Sequence, residues 1–241
     1  MRKICTLFLL LFFSAYLTEA ASVVTPKKVL VFTKTAGFRH DNIEEGVKVL
    51  SKLFKEENIG MYHTEDASIF LSDSLKNFDA VLFFSTTGTI LDDKQKSAFQ
   101  DFLKSGKGFM GIHAATDTEY DWPWYNELVG AYFASHPAVQ EAKIEVKNRK
   151  HLATKHLPKI WIHKDEWYDF KNVRPGLNIL MSLDETSYEG GKMGEFHPIA
   201  WFREIDGIKM FYTGLGHTKE SFLEPNFQKQ IIGGLKYVLG Y

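Results

Sequence analysis

The chain has 241 residues, 44% hydrophobic and 24% charged, with a formal net charge of −1. That balance suits a single globular domain with a sizeable core and excludes a disordered or low-complexity chain. Lysine and arginine are scattered without a basic run, which argues against nucleic acid as a partner, and a lone cysteine excludes a disulfide framework.

Residues 1–20 read as an export signal. Arg2 and Lys3 form a positive start, Ile4 to Leu17 an apolar stretch, and Thr18-Glu19-Ala20 a small-residue cleavage site. The stretch is short for a membrane span and no stop-transfer pattern follows it. Cleavage after Ala20 is expected, giving a periplasmic or secreted protein with no membrane attachment. Cys5 leaves with the signal, so the mature chain has no thiol nucleophile.

Val29 to Thr33 is a continuous apolar strand, followed by a loop that presents Arg39 and His40. Asn42 to Glu57 carries Ile43, Val47, Leu50 and Phe54 near helical spacing. Met61 to Thr64 and Asp79 to Ser85 are the next strands, the latter ending in Thr86-Thr87-Gly88-Thr89. Asp92 and Gln95 form a capping box opening a helix, with Phe99, Phe102 and Leu103 on its apolar face and Gly106 beyond its end. Gly108 to Ile112 is a fourth buried strand. This alternation predicts parallel strands joined by right-handed crossovers. Beyond Pro137 the pattern becomes antiparallel: strands at Gln140 to Asn148 and Leu177 to Leu183, then Ile199 to Ile205 and Ile208 to Thr213 flanking an Asp206-Gly207 turn. Pro225 to Leu239 closes the chain as a helix facing Phe227, Ile231, Leu235 and Val238 inward.

Open α/β sheets bind ligands outside the carboxyl ends of their strands, and the polar residues collect there. His113 ends the fourth strand and opens a dense loop holding Asp117, Tyr120, Trp122 and Trp124. His217 follows a strand in Gly214-Leu215-Gly216-His217, where the glycines permit a tight turn. Both histidines suit general acid–base work or metal ligation. His40, His136 and His197 stand beside glycine, proline or acids, and Glu166 lies in an acid–aromatic run, Asp165 to Asp169, of the kind that holds sugars. No His-Glu-x-x-His spacing is present, so any metal ligand set must assemble from distant loops. The structural alternatives are core packing for the aromatics, an edge strand for Glu166, and hydrogen bonding alone for each histidine. His113 is expected to carry little packing, and Phe109 to be core.

The runs VLVFTKTAGFRHDNI, FMGIHAATDTEYDWPWYNELVGAYFASHP, DEWYDF and HPIAWFREIDGIKMFYTGLGHT together resemble the ThuA-like (trehalose-utilisation) family over residues 28–241. The resemblance implies a flavodoxin-like, class I glutamine amidotransferase-like three-layer α/β sandwich, with a mostly parallel central sheet and an added antiparallel portion. It also implies a bacterial setting among genes for glycosides and keto-sugars. True amidotransferases carry their cysteine on a Gly-x-Cys-x-Gly elbow. Here Gly111-Ile112-His113-Ala114-Ala115 places His113 in that position, which excludes glutamine hydrolysis through a thioester.

The expectation is therefore an exported protein of carbohydrate metabolism, an isomerase, lyase or hydrolase acting on a 3-keto-glycoside. His113 and His217 are its candidate catalytic residues. Arg39, His40, Asp117, Tyr120, Trp122, Trp124, Glu166, His136 and His197 are candidates to contact a small carbohydrate. A divalent metal is allowed with no ligand set assigned, as is a homo-oligomer. The alternative is a non-catalytic carbohydrate-binding module, and the separation of His113 from His217 discriminates between the two.

Overall fold

The computed structural model describes residues 25–241; the expected signal segment, residues 1–20 with Cys5, lies outside the described residues. The amino-terminal half alternates as the sequence predicts: β1 (Lys28–Phe32), α1 (Ile43–Glu56), β2 (Gly60–Thr64), β3 (Ala80–Phe84), α2 (Asp93–Lys104) and β4 (Gly108–Ile112). Then follow α3 (Pro123–Val129), β5 (Tyr132–Ser135), β6 (Gln140–Val146), β7 (Ile160–Asp165), β8 (Asp169–Lys171), β9 (Asn178–Asp184), β10 (Pro198–Ile205), β11 (Ile208–Thr213), α4 (Lys219–Leu223) and α5 (Pro225–Leu239).

Nine strands form one sheet in the order β2-β1-β3-β4-β11-β10-β9-β6-β7. The first five run parallel, and their order is the flavodoxin-like 2-1-3-4-5 with β11 in the fifth place. The chain reaches that place through an antiparallel hairpin from β10, turning on Asp206 and Gly207, both at positive φ. The remaining strands are antiparallel. Helices cover both faces, making three layers.

Side-chain alternation along the strands divides the core between those layers. Phe83 and Phe109 point to the α2 face, where Phe83 stacks on Phe99 at 5.2 Å and Phe109 meets Phe99 at 5.7 Å. Phe84 points the other way, against Phe222 of α4. On that second face α5 lies so close to β4 that a Cβ on Gly108 would sit 2.3 Å from the carbonyl oxygen of Val238. Gly108→Ala is accordingly expected to destabilise the fold by about 1–3 kcal/mol through overpacking. Urea denaturation checks this, and an unchanged midpoint would mean that α5 moves away freely.

Two departures from the sequence expectation bear on the site. Pro123 to Val129 is helix where a loop was expected, started by a proline in its first turn and stopped by left-handed Gly130. Ile160 to Asp165 is a strand whose outward residues alternate with buried Trp161, His163 and Asp165, at an edge of the sheet. Its carboxyl end shares an edge with those of the parallel strands. In a flat sheet, four strands from β11, it would stand about 19 Å away. Asp165 instead hydrogen-bonds the loop after β11, so the antiparallel half curls back over the carboxyl edge of the parallel half.

Candidate metal centre

Four loops leaving that edge bring together His40 from beyond β1, His113 at the end of β4, His217 beyond β11 and Glu166 beyond β7. His113 is wholly buried and sits at φ 53°, a left-handed conformation that costs a non-glycine residue about 1 kcal/mol or more. The surroundings hold it there. Its carbonyl accepts from the Tyr212 hydroxyl at 2.8 Å, and its Nδ1 stands 3.0 Å from the carbonyl of Gly214. Since a carbonyl only accepts, Nδ1 carries a proton, and in the neutral tautomer that this leaves available the lone pair is at Nε2. The expectation that this histidine carries little packing is corrected by its burial.

Toward that lone pair converge His40 Nε2 at 3.2 Å, His217 Nδ1 at 3.1 Å and Glu166 Oε2 at 3.4 Å. His217 Nδ1 and Glu166 Oε2 are 3.1 Å apart, and all four donor atoms lie within 4.8 Å of one another. Neighbouring ligands of one ion with bonds of about 2.0–2.1 Å are separated by about 2.9 Å at right angles and about 3.4 Å at the tetrahedral angle. The observed spacings fall in that interval. Three imidazoles and one carboxylate form a donor set that suits zinc, iron, nickel or copper.

The electrostatics favour a deprotonated His40 and Glu166. Burial, reinforced by the nearby His113 and His217, pushes His40 down to about 3. Burial opposes ionisation of Glu166, yet the adjacent rings of His113 and His217 hold the carboxyl well below the usual range. Burial opposes the charge on His217, but the adjacent Glu166 outweighs it and raises the imidazole above its usual value.

A second set of residues holds these donors in place. Asp165, wholly buried, accepts from the backbone N–H of Gly216 at 2.7 Å, of His217 at 3.1 Å and of Thr218 at 3.3 Å, and from the Ser221 hydroxyl at 2.9 Å. It thereby fixes the turn that carries His217. Glu166 Oε1 stands 3.0 Å from Nδ1 of His136, which donates to the carbonyl of Pro137 at 2.9 Å and whose ring is half-exposed at the rim. Nδ1 of His40 is buried without a protein partner, and the exposed ring of Phe38 stands edge-on to His40 at 4.9 Å. Burial raises the carboxyl of Asp117, which accepts from the Tyr120 hydroxyl at 2.5 Å.

Other residues singled out from the sequence lie elsewhere. Arg39 turns away to Glu44 at 2.8 Å and Glu65 at 3.0 Å. Trp122 and Trp124 pack on Phe99 of α2, at 6.4 and 6.2 Å, because the unexpected helix α3 directs them there; they form no sugar platform. His197 is buried behind the centre, its Nε2 donating to the carbonyl of Tyr168 at 2.9 Å and its Nδ1 2.6 Å from Glu185. Sequence reasoning missed Asp165 and Tyr168 as site residues. The β-branched and aromatic run Ile160-Trp161-Ile162 was the available signal for a strand, which ends at Asp165.

Comparison with known proteins agrees with this architecture. A ThuA-like protein from Bacteroides uniformis superposes with a TM-score of 0.76 at 22% identity, over 91% of this chain and 94% of the other. One from Parabacteroides merdae gives 0.74 at 20%, over 89% and 90%. The glutaminase domain of Trypanosoma brucei CTPS gives 0.50 at 10%, over 87% and 94%, a likeness of fold alone. No curated protein sequence matches the chain. The sequence pattern of the family described as ThuA, trehalose utilisation, matches residues 28–238, and the chain belongs to that family.

Proposed function

We propose that this protein is an exported, metal-dependent enzyme of carbohydrate metabolism, in which His40, His113, Glu166 and His217 hold one divalent transition-metal ion. The observation that carries this reading is the convergence of three ring nitrogens and a carboxylate oxygen on one point, with the His113 tautomer fixed so that a lone pair faces it. A cation shared by the four donors makes so close an arrangement favourable. Carbohydrate as the substrate class rests on the family. The keto-glycoside rests on the resemblance of the sequence motifs.

When bound, the ion would polarise a substrate carbonyl or hydroxyl as a Lewis acid. The chain's own residues supply the proton chemistry beside it. Asp117 is a half-buried carboxyl steered by Tyr120. In this reading it takes the proton from the carbon next to a sugar carbonyl as the electron pair moves onto the carbonyl oxygen. Return of the proton to a neighbouring atom gives isomerisation; collapse of the enolate to re-form the carbonyl and a carbon–carbon double bond, with the departing glycosidic oxygen taking the proton held by Asp117, instead gives elimination. The packing of Trp122 and Trp124 into α2 removes the indole platform that a pure binding module would use, which favours the enzyme reading.

Metal analysis of the purified native protein is expected to find about one transition-metal ion per chain, and chelation to abolish turnover of a 3-keto-glucoside with recovery on adding metal back. A protein that takes up no metal yet binds sugar would establish the binding-module reading instead. Export follows from the tripartite amino terminus. Intact-mass measurement of the native protein is expected to show a start near Ala21, and a mass retaining residues 1–20 would refute it.

A further inference from the structure

We infer that the buried hydroxyl of Tyr168 donates a hydrogen bond to the ligand that enters the centre, which makes Tyr168 a ligand-contacting residue rather than a core aromatic. This rests on the metal reading above. Tyr168 is 2% exposed, its ring lying between His113 at 4.4 Å and Phe133 at 4.3 Å. The contact its hydroxyl makes is a long one, 3.5 Å to His40 Nε2, the same atom that faces the His113 lone pair. An ion that takes the His40 lone pair leaves this hydroxyl without an acceptor in the protein.

The other deeply buried tyrosines show how unusual that is. Tyr125 donates to the carbonyl of Ala115 at 2.6 Å, Tyr132 to that of Glu119 at 2.8 Å and Tyr212 to that of His113 at 2.8 Å. A buried hydroxyl without an acceptor is costly, and such groups persist where a ligand completes them. Placement of Tyr168 is also enforced from behind. His197 Nε2 donates to its carbonyl, His197 Nδ1 is backed by Glu185 and Tyr188, and Glu185 is itself held by the N–H groups of Met193 and Gly194. The buried chain Glu185–His197–Tyr168 gives a role to a histidine that the centre itself does not use.

The test compares cobalt(II)-loaded wild-type protein with Tyr168→Phe, titrating each with azide and following visible absorption. Tyr168→Phe is expected to bind cobalt stoichiometrically, to melt at the wild-type temperature and to bind azide about tenfold more weakly, the loss of one hydrogen bond to a charged ligand. Equal azide affinity in the two proteins would overturn the inference while leaving the metal reading intact. Loss of cobalt or of folding in Tyr168→Phe would overturn it too, by showing a structural role, as would a cobalt-loaded wild type that takes up no azide. A wild-type protein that binds no cobalt at all would instead remove the metal reading on which the inference rests.

Discussion

His217→Ala is expected to lose stoichiometric metal binding and at least about a hundredfold in turnover while keeping its fold. The histidine supplies one of four converging donors, and general acid–base or ligand groups at such centres contribute about 10²–10⁴-fold. Its ring is partly exposed, so truncation leaves no deep cavity, and the backbone beneath it stays pinned by Asp165. Thermal melting separates the two effects. A ligand at a hundred times its dissociation constant stabilises the native state by about 2.7 kcal/mol, so metal should raise the wild-type melting temperature and leave that of the variant unmoved. In chelator the two proteins should melt together. A variant that still shifts with metal would remove His217 from the ligand set. His113→Ala is a poorer test of the chemistry, since the ring is wholly buried and its loss also strands the Gly214 carbonyl.

Asp165→Ala is expected to cost more in stability than any ligand substitution, about 3 kcal/mol or more. Its wholly buried carboxylate satisfies the N–H groups of Gly216, His217 and Thr218, the N–H of Glu166 and a serine hydroxyl, and each buried donor left unpaired costs about 1–3 kcal/mol. The first three of these N–H groups belong to the turn carrying His217, so the surviving folded molecules should also bind metal more weakly, by about 10–100-fold as for other residues that orient a ligand. Phe109→Ala provides the contrast. It should lose a comparable 3–5 kcal/mol by leaving a cavity among Phe83, Phe99 and Tyr125, with metal affinity unchanged in the folded fraction. Chemical denaturation with metal titration below the transition distinguishes them. Equal metal affinity in Asp165→Ala and wild type would show that Asp165 serves stability alone.

The sequence by itself determined the parallel half of the fold. Apolar runs such as Val29 to Phe32 and Ala80 to Phe84, the Asp92 to Gln95 capping box, and the hairpin on Asp206-Gly207 are local signals, and the structure realises each near its expected place. Placement at strand ends also singled out His113 and His217, since a residue just past a parallel strand faces the carboxyl edge whatever its neighbours do. The ligand set itself was decided only by tertiary structure. Its members come from four loops, with His40 and His217 lying 73 and 104 residues from His113, and no spacing along the chain encodes their meeting. Glu166 joins them because the antiparallel strands curl back over the parallel ones, and that curl depends on long-range pairing and on Asp165 reaching the turn after β11. The indoles of Trp122 and Trp124 carried the opposite ambiguity. An indole suits a sugar platform and a core equally well by composition, and the axis of α3, set by its packing, directed both into α2.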